Sequence, residues 1–277
     1  MALSARWSDL SRRVISALVL LGIGAALALS EGWALWIGVS LFIAVTFWEL
    51  ARMTAWSAAC TDARDPAQIF AQNIPVVLAM IAGGALLAAL TQPPGWALVV
   101  LALPVIAALP CAEHRDRLSF TLFGLAIMAV GYELVHLRQE YGLPFILWLM
   151  GVVFLSDVLG YFAGRLLGGP KFWPRLSPKK TWSGTIAGWI GAALLGFVLW
   201  LAGHAEPVLI VISPLVAFAG QLGDIAESWL KRRAGVKDSS NLIPGHGGFM
   251  DRFDAVAGAV LAVMALSWVM GLPQVGL

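Results

Sequence analysis

Apolar runs separated by short polar breaks fill almost the whole chain. In order they are Val14 to Leu29, Trp33 to Trp48, Ile74 to Leu90, Trp96 to Ala112, Leu118 to Val135, Leu143 to Phe162, Gly184 to Ala202, Val208 to Ala226 and Phe253 to Met270. A helix rising 1.5 Å per residue needs about 20 apolar residues to cross a hydrocarbon layer of about 30 Å, and most of these runs reach that length once their flanking turns are counted. The pattern predicts an all-α, polytopic integral membrane protein of about nine transmembrane helices.

One stretch breaks the pattern. Residues 228–254, SWLKRRAGVKDSSNLIPGHGGFMDRFD, carry three acids, five bases, a histidine and four glycines between two apolar runs. They read as a loop joining two membrane helices. On the incoming helix Asp224, Glu227, Ser228 and Lys231 stand at i, i+3, i+4 and i+7 and share a face, while Asp251 and Asp254 stand at i and i+3 on the outgoing one. Two carboxylate pairs can therefore face each other across the hairpin. Between them Ile243-Pro244-Gly245-His246-Gly247-Gly248 suits a tightly bent backbone that turns its amides toward an anion. Carboxylates for a divalent cation, basic side chains and free amides together describe a site for a metal-bound polyphosphate.

Composition agrees with membrane residence, at 60% hydrophobic and 12% charged residues against about a quarter charged in soluble domains. Charge then sets the orientation. With nine spans and a cytoplasmic N-terminus, the cytoplasmic segments hold Arg6, Arg12 and Arg13; Arg52 and Arg64; Arg115 and Arg117; Arg165, Lys171, Arg175, Lys179 and Lys180; and Lys231, Arg232, Arg233, Lys237 and Arg252. Only Arg138 falls outside, so the positive-inside rule supports nine spans, a C-terminus outside and a cytoplasmic polar loop. Ala26-Leu27-Ala28 is the one candidate for leader cleavage, but Trp33 opens another apolar run almost at once, so the first span is read as a retained helix. Residues 1–13, with Trp7, Leu10 and three arginines, suit a topology determinant or a short interfacial helix. A net charge of +2 is too small to suggest nucleic acid as a partner, and Cys60 and Cys111 have no metal or redox spacing and read as reduced thiols without a role.

The chain divides near residue 140. Residues 1–140 form an N-terminal packing and dimerisation part, with Gly83-Gly84 allowing helices to approach closely. Glu49 and Glu133 lie near span ends and read as hydrated boundary residues. Residues 141–277 form a catalytic part with cytoplasmic loops at 165–183 and 231–252. Its first span holds Asp157 and, one turn on, Tyr161; a carboxylate there needs a partner, a cation or water. The following loop, GGPKFWPRLSPKKTWS, has three prolines and four basic residues and reads as a flexible basic flap anchored by Phe172, Trp173 and Trp182.

The polar stretch resembles the phosphatidate cytidylyltransferases, also called CDP-diacylglycerol synthases. Ser228, Lys231, Arg232, Lys237, Asp238, Ile243, Pro244, His246, Gly247, Gly248, Asp251, Arg252 and Asp254 match every fixed position of that family's pattern. Asp157, Tyr161, Gly164, Arg165 and Ser177-Pro178-Lys179-Lys180-Thr181 extend the likeness. It covers roughly Leu143 to the C-terminus, and the N-terminal half matches only in hydropathy. Two departures stand out: Val158-Leu159 replaces the family's Thr-Gly after the aspartate, and Ser183 stands where the family has an acid.

The resemblance implies transfer of a cytidylyl group from CTP to phosphatidate, giving CDP-diacylglycerol and pyrophosphate, in a homodimer of the inner (cytoplasmic) membrane. Two anions must meet in line, which makes the chemistry electrostatic. Asp224 and Asp251 are assigned to Mg²⁺, with Asp254 as a further ligand or a support for a second cation, since paired carboxylates and substrate oxygens are how Mg²⁺ is held. Lys231, Arg232 and Lys237 would neutralise the β- and γ-phosphates. His246, Gly247 and Gly248 would orient the triphosphate, or His246 would only brace the loop. Lys179 and Lys180, with Asp157, Tyr161 and Arg252, complete the substrate contacts. Ser228 is open between its own backbone and substrate. Competing readings are a CTP-dependent enzyme acting on a polyisoprenoid acceptor, and an ion-coupled transporter with Asp157, Asp224, Asp251 and Asp254 as its relay.

Overall fold

A computed structural model describes residues 2–54, 66–110, 112 and 114–276. Cys60, Arg64 and Cys111 lie outside the described residues. Nine α-helices appear among those described: α1 (Ala2–Leu29), α2 (Gly32–Thr54), α3 (Pro66–Ala89), α4 (Pro94–Ala108), α5 (Arg117–Glu140), α6 (Gly142–Leu166), α7 (Trp182–Leu201), α8 (Leu209–Arg233) and α9 (Met250–Met270). Each covers most of one of the apolar runs, the largest shortfall being in α4, which ends at Ala108 where the run extends to Ala112. Six of them (α2 and α5 to α9) are long and apolar enough to cross a membrane, while α1, α3 and α4 contribute shorter apolar stretches, Val14–Leu29, Asn73–Ala89 and Pro94–Ala108. The protein is therefore an all-α polytopic membrane protein.

The chain forms two compact units, Met1–Val135 with Ala234–Asp251, and His136–Arg233 with Arg252–Leu277. The loop at 234–251 thus packs with the N-terminal helices, although it follows α8 in the chain. In the first unit Ile43, Phe47 and Leu50 of α2 are fully buried, and Phe47 meets Phe120 edge-on at 5.6 Å. Lipid is as apolar as these side chains, so close packing rather than water exclusion holds such helices together. Gly83 shows how: a Cβ there would stand 3.1 Å from the Ala44 side chain and 3.2 Å from the Ser40 carbonyl oxygen, so α2 and α3 touch almost backbone to backbone. Gly84, its neighbour, faces open space on the wall of an apolar groove of about 590 Å³.

In the second unit α6, α7 and α8 pack through glycines, and a Cβ on Gly184 would stand 2.5 Å from the Gly160 carbonyl oxygen. Buried polar side chains tie the same helices. Trp189 Nε1 donates to Gln221 Oε1 at 3.1 Å, Gln221 Nε2 donates to Ser156 Oγ at 3.0 Å, and Trp148 Nε1 donates to Ser213 Oγ at 3.0 Å. Interhelical hydrogen bonds of this kind satisfy groups that lipid cannot.

The basic stretch after α6 is not a formless flap. It forms an antiparallel hairpin of β1 (Lys171–Trp173) and β2 (Ser177–Thr181), with Lys171 opposite Thr181 and Trp173 opposite Ser177. Its base is closed by Trp182 N–H donating to the Pro170 carbonyl at 3.0 Å and by Ser183 Oγ donating to the Gly168 carbonyl at 2.5 Å. Thr181 then caps α7, its hydroxyl accepting from Gly184 N–H at 3.2 Å. Proline excluded helix from this segment, as expected, but left it free to pair as short strands.

Candidate active site

The second unit gathers carboxylates from α8 and α9. Asp224, Glu227 and Asp254 each offer an oxygen, and the three lie within 4.8 Å of one another. The sequence permits this because the two helices cross on glycine. A Cβ on Gly223 would overlap the Asp254 carbonyl oxygen, and one on Gly258 would overlap the Ala219 carbonyl oxygen. Without side chains at these points, α8 and α9 approach almost backbone to backbone, which brings Asp224 and Asp254 into one cluster.

Two lysines complete the cluster. Lys180, near the end of β2, sets its Nζ 2.5 Å from Asp224 Oδ2 and also donates to the Gln221 carbonyl at 3.3 Å. Lys231, one turn above Glu227 on α8, reaches Glu227 Oε2 at 2.5 Å. Glu227 is buried, as is the base of the cluster around Gln221. Asp157 on α6 feels the charges of Lys180 and Asp224, and Asp254 those of Asp224, Lys231 and Asp157. Ser228 turns its hydroxyl to Asp224 Oδ1 at 3.5 Å rather than to its own backbone. Tyr161 is exposed, its hydroxyl accepting from Arg165 Nη1 at 2.7 Å. Lys179, Arg232 and Arg252 are exposed.

The first unit holds the glycine-rich loop, and here the arrangement differs from expectation. Of the amides expected to face a phosphate, that of Gly248 is directed at one of the protein's own carboxylates, and those of Ile243 and His246 at carbonyls of the loop. Gly248 N–H donates to Asp251 Oδ2 at 2.7 Å, and Ser239 donates to the same oxygen from N–H and from Oγ, each at 3.0 Å. Asp251, in the first turn of α9, thus reaches back to an amide just before the helix starts. Glu49 of α2 takes the next groups. Its Oε1 accepts from Phe249 N–H at 2.9 Å and Ser240 Oγ at 2.5 Å, and its Oε2 accepts from Met250 N–H at 2.6 Å and lies 3.1 Å from Ser239 Oγ, whose one proton it shares with Asp251. Glu49 is fully buried, not hydrated at a boundary.

The two adjacent glycines follow from this geometry. Gly247 has φ +85°, which disfavours any side chain, and a Cβ on Gly248 would overlap Ser239 Oγ and the Glu49 carboxylate. His246 donates its N–H to the Ile243 carbonyl at 2.9 Å, and its Nδ1 lies 2.7 Å from Ser16 Oγ of α1. Lys237 is exposed on the same loop.

Of the three expected metal ligands, Asp224 and Asp254 thus stand in one carboxylate cluster whose third member is Glu227, while Asp251 braces the loop. Glu227 was visible in the sequence as a fourth member of the Asp224 face. Glu49 gave no usable signal, because its partners lie about 190 to 200 residues away in the chain.

Comparison with known proteins bears on what this site serves. The chain is 40% identical over 157 residues to a phosphatidate cytidylyltransferase of Brucella abortus, the match covering 56% of this chain and 58% of that protein. It is 39% identical over 140 residues to one of Staphylococcus saprophyticus, covering 50% and 54%. The matched stretches thus span little more than half the length of these relatives. The profile of the Cytidylyltransferase family reaches further, matching residues 11–270, and the chain belongs to that family.

Proposed function

We infer that this protein transfers the cytidylyl group of CTP to phosphatidate, forming CDP-diacylglycerol and pyrophosphate, as a multi-pass enzyme at the cytoplasmic face of the inner membrane. The observation that carries this reading is the Asp224, Glu227 and Asp254 cluster with Lys180 and Lys231 against it, in a chain of this family. The names of the relatives supply the lipid acceptor.

In the reaction a phosphate oxygen of the lipid forms a bond to the α-phosphorus of CTP. The bond from that phosphorus to the α,β-bridging oxygen breaks, and pyrophosphate leaves with the electron pair. The attacking oxygen is already anionic at neutral pH, so no general base is required. Bringing two anions together is the obstacle. Lys180 and Lys231 lower it by placing ammonium groups where phosphate charge gathers, and the exposed Arg232 and Lys179 extend the positive field toward solvent. Asp224 and Lys180 also hold β2 against α8, which fixes the basic hairpin beside the carboxylates.

Mg²⁺ fits the donor set, because three carboxylate oxygens from two helices are the hard ligands it takes, and no sulfur or imidazole stands among them. Asp224, Asp254 and Glu227 would hold it, and it would supply neutralisation of phosphate charge when bound. A cytoplasmic N-terminus, nine spans and a homodimer complete the proposal, supported by the distribution of Lys and Arg for the first two.

The direct test uses purified protein in mixed micelles with phosphatidate, Mg²⁺ and CTP labelled in turn at the α- and γ-phosphates. The α-label should enter lipid and the γ-label should leave as pyrophosphate. Absence of labelled lipid under these conditions, or labelling only when a polyisoprenoid phosphate replaces phosphatidate, would overturn the assignment.

A further inference from the structure

Glu49 lies on α2, far in sequence from the Asp224, Glu227 and Asp254 cluster. Its burial is complete, and four donors converge on its two oxygens. Two of these, Phe249 and Met250 N–H, are backbone groups at the start of α9, among the amides a helix leaves without partners in its own first turn. A carboxylate there also meets the positive end of the helix dipole. The Ser239 hydroxyl lies within hydrogen-bond distance of both Glu49 Oε2 and Asp251 Oδ2, so one side chain links the two acids that grip the loop.

Resting on the nucleotidyl transfer inferred above, we propose that Glu49 is a positioning residue for that reaction, fixing the entry of α9 and through it Asp254. The path is short and covalent: Met250 is the first residue of α9, and Asp254 follows one helical turn later on the same helix. An anchor at both Phe249 and Met250 sets the axial position and rotation of that turn. Both oxygens of Glu49 are needed, because each accepts one backbone N–H, from Phe249 at Oε1 and from Met250 at Oε2. A glutamine could rotate its amide, yet it would always turn an NH₂ toward one of the two backbone donors. An aspartate keeps the charge and both acceptors but falls short by one methylene. A residue that merely filled space in α2 would show no such dependence on the second oxygen.

The test compares wild type, Glu49→Gln, Glu49→Asp and Ser240→Ala in detergent. Readouts are CDP-lipid formation, the Mg²⁺ concentration giving half-maximal rate, thermal unfolding, and Mn²⁺ binding without substrates by electron paramagnetic resonance. Glu49→Gln is expected to unfold within a few degrees of wild type, to lose at least about tenfold in kcat, and to bind Mn²⁺ several-fold more weakly while the KM for phosphatidate holds. Glu49→Asp should recover part of kcat, and Ser240→Ala, which leaves the carboxylate intact, should show the same shift in Mn²⁺ binding in smaller measure. If Glu49→Gln does not fold, Ser240→Ala decides alone. Unchanged Mn²⁺ affinity in every folded variant, or a rate that falls only as the folded fraction falls, overturns the positioning role. Wild type that forms no CDP-lipid overturns instead the reaction on which it rests.

Discussion

Replacing Asp254 with asparagine removes one of the clustered oxygens while keeping shape, and turnover should fall by at least about 100-fold with the fold retained. Asp251, one helical turn earlier, has different work: it accepts from two backbone amides and a hydroxyl of the loop. Asp251→Asn should therefore show in stability, costing about 1–3 kcal/mol in denaturant unfolding. Equal stability of the two variants would contradict this division. The spacing of Asp224 and Asp254 made both legible in the sequence, because i, i+3 periodicity places acids on a helix face without knowledge of the fold. What the Asp251 side chain accepts from was not legible. That depends on where α9 starts and on what caps it, and the cap includes Glu49, a residue joined to it only by tertiary structure.

At the scale of elements, the α8 and α9 crossing is the feature to perturb. Gly223→Ala puts a methyl group into the Asp254 carbonyl oxygen and Gly258→Ala one into that of Ala219, so each should part the helices and cost about 1–3 kcal/mol, with activity lost alongside. Gly83 and Gly84 make a contrasting pair. Gly83→Leu must push α2 from α3, whereas Gly84→Leu enters open groove and should leave stability within about 0.5 kcal/mol. Measuring both in one detergent separates close packing from mere smallness. The hairpin of β1 and β2 was the element least visible in the sequence. Three prolines excluded helix, but strands of three and five residues are too short for alternation to register. The structure also gives Ser183 a use: its hydroxyl donates to the Gly168 carbonyl, which a carboxylate cannot do. Ser183→Glu is accordingly expected to loosen the hairpin and lower the rate, and a higher rate would show that an acid serves better there.

For the whole molecule, the nine apolar runs each became a helix, since length and hydropathy are local properties that lipid reads directly. The grouping of those helices was less local. Residues 234–251 pack with Met1–Val135, an association written in hydrogen bonds to α1 and α2 that no periodicity reveals. Orientation is testable in spheroplasts and inverted vesicles with single cysteines introduced for Lys237 and for Gln274 in a cysteine-free background. The first should react with a membrane-impermeant maleimide only from the cytoplasmic side and the second only from outside; labelling of both from one side would remove the odd number of spans.

The ion pairs of Lys180 with Asp224 and Lys231 with Glu227 carry one last consequence. Asp224 and Glu227 are each faced by an ammonium group, so these two carboxylates bring their own counter-ions and the fold does not lean on an external one for them. Prolonged dialysis against a chelator should silence this protein without melting it, and restoring divalent cation should revive it with no refolding step.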